Sequence, residues 1–237
     1  MASRRVIIRF IWTATLFLAF LGIVVIARRT VVLFLPAHAS NPHNPAAALD
    51  AHFLDHRALT LTHILPGLLF MFLGPLQFLP SLRAKHPTFH RWSGRIFLAS
   101  AAVIGVTGLT LALRPTIGGL DEKSAILLFG SFFLFALAKA LWRAMHRQFA
   151  QHREWMIRGF GVGLAIAAIR PIMGAFFAAA VIQHHTPQPQ HFFGTAFWIG
   201  FLLEAIAAEL WIRYTRPSAA AQFSAPRSSA LSAASPP

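Results

Sequence analysis

The sequence predicts an all-α, polytopic transmembrane bundle of about six spans, on three observations. Apolar residues fill 56% of its 237 positions, and the mean hydropathy is +0.59. Charged residues make up only 12%, about half the usual share of a soluble domain. The apolar residues gather into six runs bounded by charge or proline, each near the roughly 20 residues a helix needs to cross hydrocarbon. Sheet strands do not run so long, and only helices or closed barrels satisfy their own backbone groups in lipid.

The first run is Val6–Ala27, preceded by Arg4 and Arg5. Ala37-His38-Ala39 beyond it resembles a signal-cleavage site, but the run is long and Arg28 and Arg29 part it from that site, which favours a retained helix. An outer loop follows to Arg57, its start Val31–Leu35 interfacial and its middle rich in Asn and Pro. The next runs are Ala58–Pro80, Trp92–Leu113, Ser124–Trp142, Met156–Ile182 and Phe192–Ile212. The chain thus divides into a first span with outer loop (1–57), a membrane bundle (58–212) and a Ser/Ala/Pro-rich tail (213–237) that cannot bury a core.

Short loops rich in Lys and Arg stay in the cytoplasm. With the N-terminus inside, 14 basic residues fall on inner segments, against five on outer ones (Arg28, Arg29, Arg57, Arg114 and Lys123). Both termini are therefore expected in the cytoplasm. The same asymmetry explains the formal net charge of +14, which suits anionic lipid at the inner face. A nucleic-acid partner is not expected of a chain with three Lys and 23 Phe. The absence of cysteine excludes disulfides, thiolate zinc sites, cysteine-held iron–sulfur clusters and covalent c-type haem.

Two segments echo each other: His90-Arg91-Trp92-Ser93-Gly94-Arg95-Ile96-Phe97 and His152-Arg153-Glu154-Trp155-Met156-Ile157-Arg158-Gly159-Phe160. Both open a span at the cytoplasmic side, so the echo would relate two parallel helix hairpins, spans two and three and then four and five. Interfacial preference of Trp and Arg accounts for the match equally well.

His63-Ile64-Leu65-Pro66-Gly67, Gly74-Pro75-Leu76-Gln77-Phe78, Leu82-Arg83 and the two echo segments together resemble the bacterial membrane-protein family called domain of unknown function 2306. The likeness covers roughly 50–212. It implies a multi-pass protein of the bacterial inner membrane with no established activity. The HRE-W-M piece alone is similar to a smaller family implicated in cytochrome oxidase maturation, which would imply a respiratory or assembly partner.

Three groups of residues carry possible chemistry. His90 and His152, at matching depth, could ligate a b-type haem from opposite faces, with Arg91, Arg95, Arg153 and Arg158 neutralising its propionates. The alternative is a pair of interfacial histidines beside lipid phosphates. His63 and Arg170 enter from the outer side, His63 by about five residues or roughly 8 Å. An intramembrane Arg marks a functional site by default, and Pro171 frees carbonyls that could line a polar pocket or simply be satisfied by that Arg. Lys139 and Glu204, at nearly equal depth, suggest an ion pair within that pocket, either a proton relay or a contact that specifies helix packing. In the outer loop, His52, Asp55 and His56 could supply part of a metal site, with Asp50, His184, His185 and His191 nearby.

No phosphate-cradling loop, nucleophile elbow or zinc-protease motif is present in the sequence, so whether the chain is an enzyme stays open. The sequence therefore points first to a binding or accessory membrane protein with a small polar pocket. A b-type haem redox protein and a small secondary transporter are the alternatives.

Overall fold

The computed structural model describes residues 2–35 and 47–216. Eight helices follow in order among them: α1 (Ala2–Phe34), α2 (Ala47–Leu54), α3 (Arg57–Gln77), α4 (Pro80–Lys85), α5 (Pro87–Ala112), α6 (Gly119–Met145), α7 (Phe149–Ile182) and α8 (Phe193–Thr215). A single 3-10 turn, Pro189–His191, precedes α8. Six of the helices (α1, α3 and α5 to α8) are long and apolar enough to cross a membrane, as their six hydropathy runs require.

Residues from the end of α1, the start of α3, the end of α5, the start of α6, the second half of α7 and the start of α8 meet in one place. Consecutive spans therefore run antiparallel. One end of the bundle carries the short helix α2 and the other carries α4. The α3–α5 and α6–α7 hairpins anticipated from the sequence echo pack closely, and α7 packs equally closely on α8.

The first span differs from its expected limits. Its helix runs through Phe34, so Val31–Phe34 belongs to the helix, with Val32 and Leu33 buried. Arg28 and Arg29 break the hydropathy run without breaking the helix, because both donate to the carboxylate of Asp50 on α2. Elsewhere α1 is peripheral: it packs on α3 and α7, and Phe10, Phe17 and Phe20 stand exposed where lipid would surround them. At the chain's other end, α8 extends the bundle to Thr215, and the expected tail from residue 217 onward lies outside the described residues.

An aromatic cluster holds the middle of the bundle. The fully buried Phe70 ring stacks on Phe97 at 4.7 Å and meets Phe133 and Phe160 at 5.7 and 5.6 Å. The α3–α7 contact is reciprocal. A Cβ on Gly74 would overlap Phe160, and one on Gly163 would overlap Phe70, so each helix offers a glycine to the other's ring. Below this layer, buried Gln77 donates to Ser93 Oγ at 2.8 Å and ties α3 to α5.

Candidate functional site

Above the aromatic layer, towards the α2 end, lies a cavity of about 230 Å³. Phe70 and Phe133 are in its wall, and α7 contributes Val162, Gly163, Ile166, Ala167 and Arg170. These α7 positions recur every three or four residues, so they form one stripe on one face of the helix. From Val162 to Arg170 the stripe rises about 12 Å. It is apolar until its last member.

The polar wall consists of Arg29, His63, Thr116, Glu122 and Arg170. Most of these groups are already engaged. Arg29 Nη1 donates to Asp50 Oδ1 at 2.5 Å, while Arg28 makes a two-pronged contact with the same carboxylate at 3.0 and 2.8 Å. Asp50 is fully buried, and the Arg29 guanidinium also lies over the Phe53 ring, 4.3 Å from its centroid. Glu122 turns back on the start of its own helix and accepts from the Gly118 N–H at 2.8 Å. His63 Nδ1 sits 3.0 Å from Thr107 Oγ1, whose own proton is directed at the Val103 carbonyl at 2.6 Å. His63 Nδ1 therefore carries the donated hydrogen.

Arg170 differs from all of these. Its Nε is buried with no hydrogen-bond partner, and no hydrogen bond or ion pair joins its guanidinium to any described residue. The carbonyls next to Pro171 do not receive it. Glu122, Arg28 and Arg29 act on it only through space. Two other buried nitrogens lack partners, but Arg143 is bonded to Gln148 and stacked on Trp142, and His90 stands half-buried at a helix start.

The expected polar pocket is thus divided. His63 and Arg170 line the same cavity. Glu204 lines a second, smaller one of about 100 Å³ between α1, α7 and α8, walled by Trp12, Phe160 and Trp211. Lys139 lines neither and lies 5.0 Å from the Trp142 ring centroid, one turn along its own helix. Lys139 and Glu204 form no ion pair, since equal depth on two helices does not fix which way each side chain turns.

At the α4 end, His90 and His152 come near enough to interact electrostatically, joined by Arg83. The echo repeats locally: Arg95 lies over Trp92 and Arg158 over Trp155, each at 4.7 Å, and the Phe97 and Phe160 rings are 6.3 Å apart. His152 Nδ1 is 2.8 Å from the Ala140 carbonyl. Neither cavity reaches either ring. Of the arginines considered for haem propionates, Arg158 is held by Glu209 at 2.5 Å, Arg153 donates to Thr215, and Arg91 and Arg95 are exposed. Neither of these two cavities therefore offers room for a haem between His90 and His152.

Among the described residues no three His, Asp or Glu side chains gather as metal ligands. Asp55 is exposed and His56 half-buried, while the side chain of His52 lies outside the described residues. Asp50, grouped with them in sequence, serves the two arginines instead.

The family described as Predicted membrane protein (DUF2306) matches residues 60–212, well over half of the chain. The chain belongs to this family. The match begins within α3, so the family segment supplies His63, Glu122 and Arg170, whereas Arg29, Asp50 and Phe53 come from the chain before it. No curated protein and no solved structure matches the chain.

Arg29, Glu122 and Arg83 were not singled out from the sequence. An Arg pair with apolar sequence on both sides, Arg28-Arg29 before Val31–Leu35, was the available signal for the first. The acidic pair Asp121-Glu122 in the first turn of a span was the signal for the second. Nothing local marks Arg83.

Proposed function

We propose that the protein is a membrane-embedded binding protein whose cavity at the α2 end receives a small ligand with a mainly apolar body. The single observation that carries this reading is the cavity itself: about 230 Å³, walled by five spans of the family segment plus α1, apolar along its length and polar at one end. Binding sites for small molecules have this make-up, and at slightly below the usual 300–1,000 Å³ the space suits a compact ligand or a single chain.

Ile166 lines the cavity one turn before Arg170 and is half-buried. In the purified chain held in nanodiscs, 1-decanol raises the melting temperature if the cavity takes apolar ligands, by an amount set by its concentration over Kd. Ile166→Phe should reduce the rise and Ile166→Trp abolish it. An equal rise in all three proteins would show binding elsewhere and defeat the reading.

The charge asymmetry supports an orientation with the α2 end outside a bacterial inner membrane and both termini in the cytoplasm. Reporter fusions at Gly118 and after Thr215 test it, expected outside and inside respectively. The opposite result overturns it.

A further inference from the structure

We infer that the occupant of this cavity is an anionic single-chain amphiphile, its acidic head against Arg170 and its chain along the α7 stripe towards Phe70. This inference rests on the cavity reading above and adds the charge and shape of the ligand.

The charge follows from counting partners. Three guanidiniums, of Arg28, Arg29 and Arg170, act on one another at the α2 end, with two carboxylates, of Asp50 and Glu122, among them. Asp50 is occupied by Arg28 and Arg29, and Glu122 accepts from the backbone of its own helix start. The set sums to one positive charge, and the guanidinium whose donors no protein group takes is that of Arg170, which Glu122 meets only through space. Arg170 is half-buried as a residue, but its Nε is fully buried and bonded to nothing, and an intramembrane cation of this kind is retained where it meets a counter-charge. Arg170 keeps its donors for something the described protein does not provide. A guanidinium offers a planar fork that matches a carboxylate or a phosphate oxygen pair.

The shape follows from the wall. Below Arg170 the cavity is bounded by Ile166, Ala167, Val162 and the Phe70 ring, with no charge along about 12 Å of α7. A small inorganic anion would satisfy Arg170 and leave that length unfilled. A two-chain lipid exceeds the volume. A single apolar chain ending in a carboxylate uses both parts of the site. His63, its Nδ1 engaged with Thr107, adds a polar group to the same wall.

The test compares decanoate with 1-decanol, equal in chain length and different in charge, by calorimetric titration of the full chain in nanodiscs of zwitterionic lipid. Wild type should bind decanoate at least tenfold more tightly than 1-decanol. Arg170→Gln should erase that preference while leaving 1-decanol affinity within twofold, and Arg170→Lys should keep part of it. If 1-decanol binds and Ile166→Trp blocks it, yet decanoate shows no preference or keeps its preference in Arg170→Gln, the inference about charge falls and the cavity reading stands. If neither probe binds, both fall. If sodium chloride or inorganic phosphate at the same concentration competes with decanoate and binds as tightly by itself, the site is one for a simple anion and the amphiphile is wrong.

Discussion

The two ends of the bundle treat arginine in opposite ways. At the α4 end basic residues are numerous and most are accommodated locally: Arg158 by Glu209, Arg216 by Glu154, Arg153 by Thr215, Lys139, Arg95 and Arg143 by neighbouring indoles, the rest by exposure. At the α2 end they are few: Arg28, Arg57 and Arg114 are exposed, Arg29 is buried against Asp50, and Arg170, half-buried with its Nε enclosed, has no hydrogen-bond partner. What marks a site is a charge that the fold encloses and leaves unpaired, not the density of charge. A sum over the sequence draws attention to the α4 end. Buried nitrogens without a hydrogen-bond partner occur at both ends, but of the three only Arg170 Nε belongs to a residue that lines the cavity.

The largest difference between the ends should show at Asp50. Its carboxylate is fully buried and receives both Arg28 and Arg29, so Asp50→Ala leaves the buried Arg29 without its counter-ion. Breaking a buried pair from one side costs about 3–5 kcal/mol. Thermal unfolding in nanodiscs should show a fall of many degrees, and Arg29→Met added to Asp50→Ala should restore part of it. A double mutant as unstable as the single would mean that Asp50 acts through some contact other than Arg29.

Arg170 should respond with the opposite sign. Since no described residue satisfies it, Arg170→Met removes a burial cost and no bond, and the ligand-free protein should gain about 1–3 kcal/mol. The same substitution at Arg158, which is bound to Glu209, should not stabilise. The chemical denaturation midpoints of the two variants decide this. A loss of stability at Arg170→Met would show that the guanidinium has a structural partner and would remove the argument for an external anion.

The legible part of this molecule was what hydropathy and charge counting can see. Six spans, their order and the closeness of the α3–α5 and α6–α7 hairpins follow from runs of apolar residues and an echo of two motifs. That His63 and Arg170 line one cavity was legible because each is a polar residue at similar depth from the same side, and depth is linear in residue number. Rotation about the helix axis is not. Lys139 and Glu204 share a depth and still turn apart, Lys139 to the Trp142 ring and Glu204 to the smaller cavity. In sequence Asp50 stands beside His52, Asp55 and His56, and so groups with a possible metal site. Its true partners, Arg28 and Arg29, are more than 20 residues away, brought to it by the return of the chain through α2. The extension of α1 to Phe34 was hidden for the same reason: two arginines end a span on paper, but a carboxylate supplied from elsewhere lets the helix continue.

The smallest effect belongs to the α4 end. The Arg216 guanidinium makes two contacts of 2.7 and 2.8 Å with Glu154, yet Arg216 is mostly exposed, where Coulomb attraction is screened and side-chain entropy opposes the pair. Glu154→Gln should therefore change stability by less than about 1 kcal/mol, and the change should shrink further in high salt. The matching experiment at the α2 end should be nearly insensitive to salt, because Asp50 and Arg29 are closed off from water. Melting temperatures of Glu154→Gln and Asp50→Ala, each against wild type at low and high ionic strength, put the two ends on one scale. Equal salt dependence would mean that water reaches the Arg29–Asp50 pair, and then the enclosure that gives Arg170 its significance would not hold.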